Sequence, residues 1–168
     1  MNQTIKTDRL VLRMFDESDT EDLTTILKGE GMLQYFPPKP EPSVELAQKM
    51  ITGICEHWDS YGYGLWAVEL GETGQLLGRV GLQYLLDTDE VEVDFILDRK
   101  AWGRGYATEG GRVSIEHGFA ELEVDEIVGI VHPDNVASRR VLQKIGMRLD
   151  RRTEYFGMTV DRYSIPTP

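Results

Sequence analysis

Leu97-Asp98-Arg99-Lys100-Ala101-Trp102-Gly103-Arg104-Gly105-Tyr106-Ala107-Thr108-Glu109 is the stretch on which the reading of this chain turns. An apolar strand end, a Gly-x-Gly turn and a helix start follow one another without a break. That order leaves several backbone N–H groups unpaired and converging, with the positive end of a helix behind them. Gly103 and Gly105 have no side chains to keep an anion off the backbone. Arg99, Lys100 and Arg104 add positive charge around the same turn. The stretch reads as a seat for an anion of pyrophosphate size.

A pair of glycines after a strand also serves as a plain tight turn, so the neighbours must decide. Immediately upstream, Val91, Val93 and Phe95 alternate with Glu92 and Asp94. The central parallel strand of a dinucleotide-binding Rossmann unit is apolar throughout. Thr108 stands at that motif's third small position and Asp125 imitates its ribose-binding acid. The alternating strand and the short remaining chain nevertheless oppose it. No Gly-Lys-Ser/Thr appears, which removes a Walker-type loop.

Working outward, the alternation of Leu10, Leu12 and Met14 predicts a strand over Thr7–Met14. Thr20–Lys28 reads as a short helix, and Pro37, Pro38, Pro40 and Pro42 make residues 29–42 a loop. Ser43 caps a second helix, whose apolar face is Leu46, Met50, Ile54 and Trp58. Strands at Leu65–Leu70 and Leu76–Leu85 flank a hairpin turn at Gly71–Gly74, and Glu90–Leu97 follows the Asp87–Asp89 turn. A helix over Gly103–Leu122, an apolar strand over Glu126–His132 and a helix over Asn135–Ile145 stopped by Gly146 come next. Two strands, near Arg148–Tyr155 and Thr159–Ile165, finish the chain. The order βααβββαβαββ predicts an α/β (α+β) domain layered around one mixed sheet. No repeat or linker interrupts it, so 168 residues form one domain, 1–168 with its core in 8–166.

Bulk composition narrows the function. The net charge of −11 opposes nucleic-acid binding, which needs Lys and Arg against phosphates, and would favour a cationic partner. The acidic excess also simply keeps a protein soluble. No apolar run approaches the ~20 residues of a membrane span, and Met1–Arg9 lacks the apolar core of a signal peptide. The lone Cys55 has no internal disulfide partner, which agrees with a reducing, cytoplasmic setting. His57, His117 and His132 have no metal-ligand spacing with it or one another, so no metal site is expected.

A second constellation lies at Val131-His132-Pro133-Asp134-Asn135-Val136-Ala137-Ser138-Arg139-Arg140-Val141-Leu142-Gln143-Lys144-Ile145-Gly146-Met147. Taken with the Gly103 turn before it, it resembles the GNAT acetyltransferase superfamily. In particular the chain is similar to the branch of ribosomal-protein-alanine N-acetyltransferases of the RimJ and RimL kind. Thr7-Asp8-Arg9-Leu10-Val11-Leu12-Arg13, Trp102-Gly103-Arg104-Gly105-Tyr106-Ala107-Thr108-Glu109 and the Asn-x-x-Ser-x-x-x-Leu pattern of Asn135–Leu142 carry the likeness. It covers essentially the whole chain. Lys100 is a departure, since the superfamily often has Gln or Arg there.

The resemblance implies a sheet whose central strands splay, with helices on both faces. The pantetheine arm of acetyl-CoA would lie along Phe95, Ile96 and Leu97, bonded to the backbone of Phe95 and Leu97. Its pyrophosphate would sit on amides from Gly103 through Gly105, Tyr106 and Ala107 to Thr108, with Arg104 alongside. Asn135 and Ser138 would approach the thioester, Ser138 contacting the departing thiolate. The base would be Glu92, on the splayed strand, or Glu154. Either is also readable as a solvated strand residue. The oxyanion would be held by an unpaired strand N–H near Leu97. Tyr35, Trp58, Tyr61, Trp66 and Phe156 are candidates for the acceptor pocket or for core. Gly110 and Gly111 inside a helix mark either close packing or plain tolerance.

The function so implied is acetyl-CoA-dependent transfer of an acetyl group to a primary amine by direct attack in a ternary complex. The amine would belong to a protein N-terminus, a basic peptide or ribosomal protein, or a small molecule. A non-catalytic acetyl-CoA-binding module on the same fold is the alternative. Monomer and homodimer are both open.

Overall fold

Residues 4–168 are described in a computed structural model. Residues 1–3, where the reading of the amino terminus as leaderless begins, lie outside the described residues.

The sheet is organised around one break in its pairing. β4 (Leu76–Leu85) and β5 (Glu90–Leu97) pair antiparallel along their length, from Leu85↔Glu90 to Gly78↔Leu97. On the other side, β6 (Glu126–Val131) runs parallel to β5 but is in register with it only at Glu92↔Val128. Beyond that point the two strands diverge, so the expected splay opens at the carboxyl end of β5. The remaining strands are β1 (Ile5–Lys6), β2 (Leu10–Arg13), β3 (Leu65–Leu70), β7 (Arg148–Tyr155) and β8 (Met158–Pro166). They complete an eight-stranded mixed sheet in the order β1-β2-β3-β4-β5-β6-β8-β7.

At the closed end of the splay lies an ionic staple. Arg162 of β8, its side chain only 5% exposed, binds Glu90 of β5 at 2.7 Å, Glu126 of β6 at 2.5 Å and Asp150 of β7 at 2.8 Å. Glu90 and Glu126 each precede by two residues the one position where β5 and β6 are in register. The Tyr155 hydroxyl also donates to Glu90.

The first strand departs from expectation. It is split at Thr7-Asp8-Arg9 into β1 and β2, which pair with each other through Ile5↔Leu12 and Lys6↔Val11. Thr7 turns the chain: its N–H donates to the Leu10 carbonyl at 2.9 Å and its hydroxyl accepts from the Leu10 N–H at 3.0 Å. Helix α1 (Thr20–Leu27) follows a single 3-10 turn in which Asp16 and Asp19 cap each other's backbone. Arg13 ties the turn to β2 by an ion pair to Asp19 at 2.7 Å.

Helix α2 (Val44–Tyr61) starts at Ser43, whose hydroxyl accepts the Leu46 N–H, and stops at Gly62 in the left-handed region. Its buried stripe is Leu46, Ala47, Ile51, Ile54 and Trp58. Met50, expected in that stripe, is half-buried because a 3.6-residue period rotates it aside and brings in Ile51.

α3 (Tyr106–Glu121) and α4 (Val136–Lys144) share one face of the sheet. Gly110 and Gly118 bring α3 against Val80 and Leu82; a Cβ would lie 2.8 Å from Val80 Cγ1 and 2.5 Å from Leu82 Cδ1, respectively. Gly111 lies against Ile145 and Gly129 of β6 admits Leu142. The glycines inside α3 are therefore packing residues. Their face carries the largest buried side chains, Trp66 among them. The opposite face of β4 and β5 presents Arg79, Gln83, Glu92 and Asp94, and it is this polar face that meets the site.

Candidate active site

A cavity of about 530 Å³ fills the splay. Phe95, Ile96, Leu97, Gly103, Gly105, Tyr106, Ala107, Thr108 and Asn135 line it, which brings nine of the predicted residues together. Asp98 donates to the Leu77 carbonyl of β4 at 2.6 Å. By antiparallel alternation, Ile96 also faces β4, whereas the N–H and C=O groups of Phe95 and Leu97 point into the gap. The Leu97 carbonyl accepts the Trp102 indole N–H at 2.8 Å. The edge of β5 thus offers an extended ligand the groups a neighbouring strand would have used.

The far end of this cavity is the start of α3. The helix begins at Tyr106 and not at Gly103, because Gly103 (φ 72°) and Gly105 (φ 81°) are left-handed and a 3-10 turn occupies Arg99–Ala101. No side chain caps α3. Its first amides are free to receive an anion. A Cβ at Gly103 would meet nothing within 4 Å, so conformation, not crowding, calls for glycine there.

Arg104 does not line the cavity; the side chain is exposed and the structure uses its carbonyl. Arg9 donates to that carbonyl at 2.7 Å, pairs with Glu109 and lies 4.6 Å over the Tyr106 ring. Burial pushes the Glu109 carboxyl up, but hydrogen bonds from Thr7 and Arg9 outweigh it and hold the group below the usual range. Thr7 and Arg9 thereby fasten β2 to the turn. The cations that line the cavity are Arg140 and Lys144 of α4. Sequence reasoning passed over both, although Val136, Ala137, Arg140, Val141 and Lys144 recur on one helical face. It also missed Arg9, whose partners lie about a hundred residues away.

Glu92, Glu154 and Asn135 line a second cavity of about 770 Å³. Tyr35, Phe36 and Asn135 belong to both cavities, so the two meet there. Tyr35 stacks on His132 with ring centroids 5.1 Å apart. Glu92 is 5% exposed. Burial, reinforced by the neighbouring Asp94 carboxylate, pushes its pKa up to about 8 against the opposing hydrogen bonds of Gln83 and the Ile130 N–H. The Gln83 bond is 2.8 Å long. Glu154 is exposed at the mouth. Beside Glu92, Arg79 pairs with Asp94 at 2.7 Å, and Lys39 faces them from the proline-rich loop.

Ser138 lines neither cavity. Its backbone N–H donates to the Asn135 side chain at 3.1 Å, so Asn135 is the cap of α4. Of the aromatic candidates, Tyr35 and Phe156 line the second cavity, Trp58 and Trp66 are core, and Tyr61 lines neither cavity. His57 is structural, bonded to Tyr63 and Tyr84. Among the described residues no group of His, Cys, Asp and Glu could hold a metal ion, and no helix is long and apolar enough to cross a membrane.

Residues 9–148 match the family model of the acetyltransferase (GNAT) domain. The uncharacterized protein YkkB of Bacillus subtilis is 30% identical over 153 residues, 86% of this chain and 85% of its own length. The uncharacterized N-acetyltransferase YoaA of the same organism is 27% identical over 145 residues, covering 86% of this chain and 82% of its own. Among solved structures, the RimL ribosomal L7/L12 α-N-protein acetyltransferase in complex with coenzyme A is similar with a TM-score of 0.82, at 21% identity over 98% of each chain.

Proposed function

The chain belongs to the GNAT acetyltransferase family and is an N-acetyltransferase, and we propose that it moves the acetyl group of acetyl-CoA to a primary amine with Glu92 as the base. The observation that carries this reading is the meeting of the two cavities at Tyr35, Phe36 and Asn135, with Glu92 buried in the wall of the second. The residues of the first cavity fit the cosubstrate: uncapped α3 amides, Arg140 and Lys144 suit its phosphates, and the free edge of β5 suits its amide-containing arm. Acetyl-CoA supplies an acyl group activated as a thioester. Phe95 and Leu97 hold the arm as an added strand would be held. An unpaired N–H of β5 stands ready for the charge that develops on the acyl oxygen.

The acceptor arrives as an ammonium ion of pKa about 8 to 10 and must lose a proton before it attacks. A carboxyl group with a pKa of about 8 is matched to that proton. In the empty site at pH 7 most of Glu92 is protonated, and the positive charge of an arriving ammonium favours its ionised form. Glu154, exposed at the mouth, contacts the acceptor's outer part. A non-catalytic acetyl-CoA-binding module would have no use for a buried carboxyl group in the wall of the second cavity.

Assays pairing acetyl-CoA with amines and peptide N-termini test the reading, following both free thiol and acetylated product. Equal yields of the two are expected. Thiol release without an acetylated amine, or no release with any acceptor, would contradict it.

A further inference from the structure

We infer that Arg9 and Glu109 are positioning residues for the cosubstrate: together they hold the Arg104–Gly105 peptide unit so that its N–H, and not its carbonyl, faces a bound phosphate. This rests on the reading of the first cavity as the acetyl-CoA site. A peptide unit is planar and trans, so its C=O and N–H point in opposite directions. Arg9 Nη1 donates to the Arg104 carbonyl at 2.7 Å. The Gly105 N–H, across the same plane, is thereby turned away from Arg9. Gly105 lines the first cavity, whereas Arg9 and Arg104 do not. Without a lock this unit has two settings, because a flip changes only ψ of Arg104 and φ of Gly105, and glycine accepts φ of either sign. Gly105 stands at φ 81°. The flipped unit would set a carbonyl oxygen where an anion needs a donor.

Arg9 can act as a lock because it is itself held. Its Nε donates to Glu109 at 2.7 Å, its Nη2 pairs with the same carboxylate at 2.6 Å, and its guanidinium lies 4.6 Å over the Tyr106 ring. Glu109 also accepts the Thr7 hydroxyl at 2.6 Å and the Arg9 backbone N–H at 3.0 Å. The planar fork of arginine serves the carboxylate and the Arg104 carbonyl at once. Glu109 lies in the first turn of α3, so the clamp is built on the helix whose start it orders. A Cβ on Gly105 would come within 3.3 Å of Arg9 Nη2, which places the guanidinium directly against the hinge of the flip.

Two titrations of the intact protein test this: CoA by calorimetry, and pantetheine, the same arm without phosphates, by NMR. Arg9→Met should weaken CoA binding about 10-fold, as loss of a charge-assisted hydrogen bond allows, and leave pantetheine binding within about 2-fold. Glu109→Gln tests the sign. It removes a negative charge beside an anion site, so the field alone would tighten CoA binding. Loss of the clamp should instead weaken it by about 3-fold or more. Circular dichroism confirms folding, and if Arg9→Met unfolds, the isosteric Glu109→Gln carries the test. Equal weakening of CoA and pantetheine, unchanged CoA affinity in either variant, or tighter CoA binding by Glu109→Gln would overturn the inference. A parent protein that binds no CoA would overturn the cosubstrate reading with it. CoA bound without transfer to any amine would overturn amine transfer alone and leave the inference standing.

Discussion

Glu92 sits where a carboxylate is expensive. Its folded pKa of about 8 lies above the ordinary 4.5, so the fold favours the protonated form. The stability this contributes is complete below pH 4.5 and is lost as pH rises through about 8. Glu92→Gln keeps the shape without the charge. Its melting temperature should match the parent near pH 4.5 and exceed it at pH 9, by on the order of 3 kcal/mol of unfolding free energy. Calorimetry at the two pH values checks this; an equal gain at both would show that charge is not the cause. Glu154→Gln, by contrast, should keep kcat within about 3-fold, because an exposed carboxylate contributes little. Glu92 was visible in the sequence as an alternating strand residue, and Glu154 through the likeness to the GNAT branch. Their difference was not, because alternation reports which residues share a face and not what covers that face. Here the loop carrying Tyr35 and Lys39 borders the face of β5 that periodicity would give to solvent.

At the scale of elements, α3 is the piece on which both packing and cosubstrate depend. Gly118→Ala should destabilise the protein by about 1 to 2 kcal/mol. The clash of a Cβ 2.5 Å from Leu82 Cδ1 and 2.9 Å from Ile127 Cδ1 exceeds the helix propensity gained, about 1 kcal/mol. Chemical denaturation checks this, and a stabilised variant would mean that the helix simply shifts away. Most elements were legible because their periodicity and caps agree: Ser43 and Gly62 bound α2, and Gly146 follows α4. The split of the first strand was not. It depends on Glu109 binding Thr7 and Arg9 across 102 and 100 residues, a contact no local pattern records. The residues that the likeness to the GNAT branch singled out at the Gly103 turn line one cavity, Arg104 excepted. Ser138 and Arg104 lie outside the lining of both cavities.

Over the whole molecule, one buried guanidinium holds the splay closed at its base. Arg162 joins β5, β6, β7 and β8 through Glu90, Glu126 and Asp150. Arg162→Met leaves these carboxylates crowded without a cation and should cost about 3 to 5 kcal/mol. The loss should shrink as pH falls and they are protonated; denaturant titrations at pH 7 and pH 4.5 compare the two. A uniform loss would assign Arg162 a packing role only. Overall charge, read from composition, pointed toward cationic partners. The second cavity gathers Lys39 and Arg79 with Asp87, Glu92, Asp94 and Glu154, and only the fold brings those residues together.

The central claim is that Glu92 accepts the proton of the attacking amine. The most direct measurement is the pH dependence of kcat/KM for the amine, in the parent protein and in Glu92→Gln. The account predicts an ionisation near pH 8 in the parent, with rate rising as Glu92 loses its proton. In the variant that ionisation should be absent and the rate lower by about 100-fold or more, with the KM for acetyl-CoA unchanged. A variant with the parent's rate and the parent's profile would contradict the account.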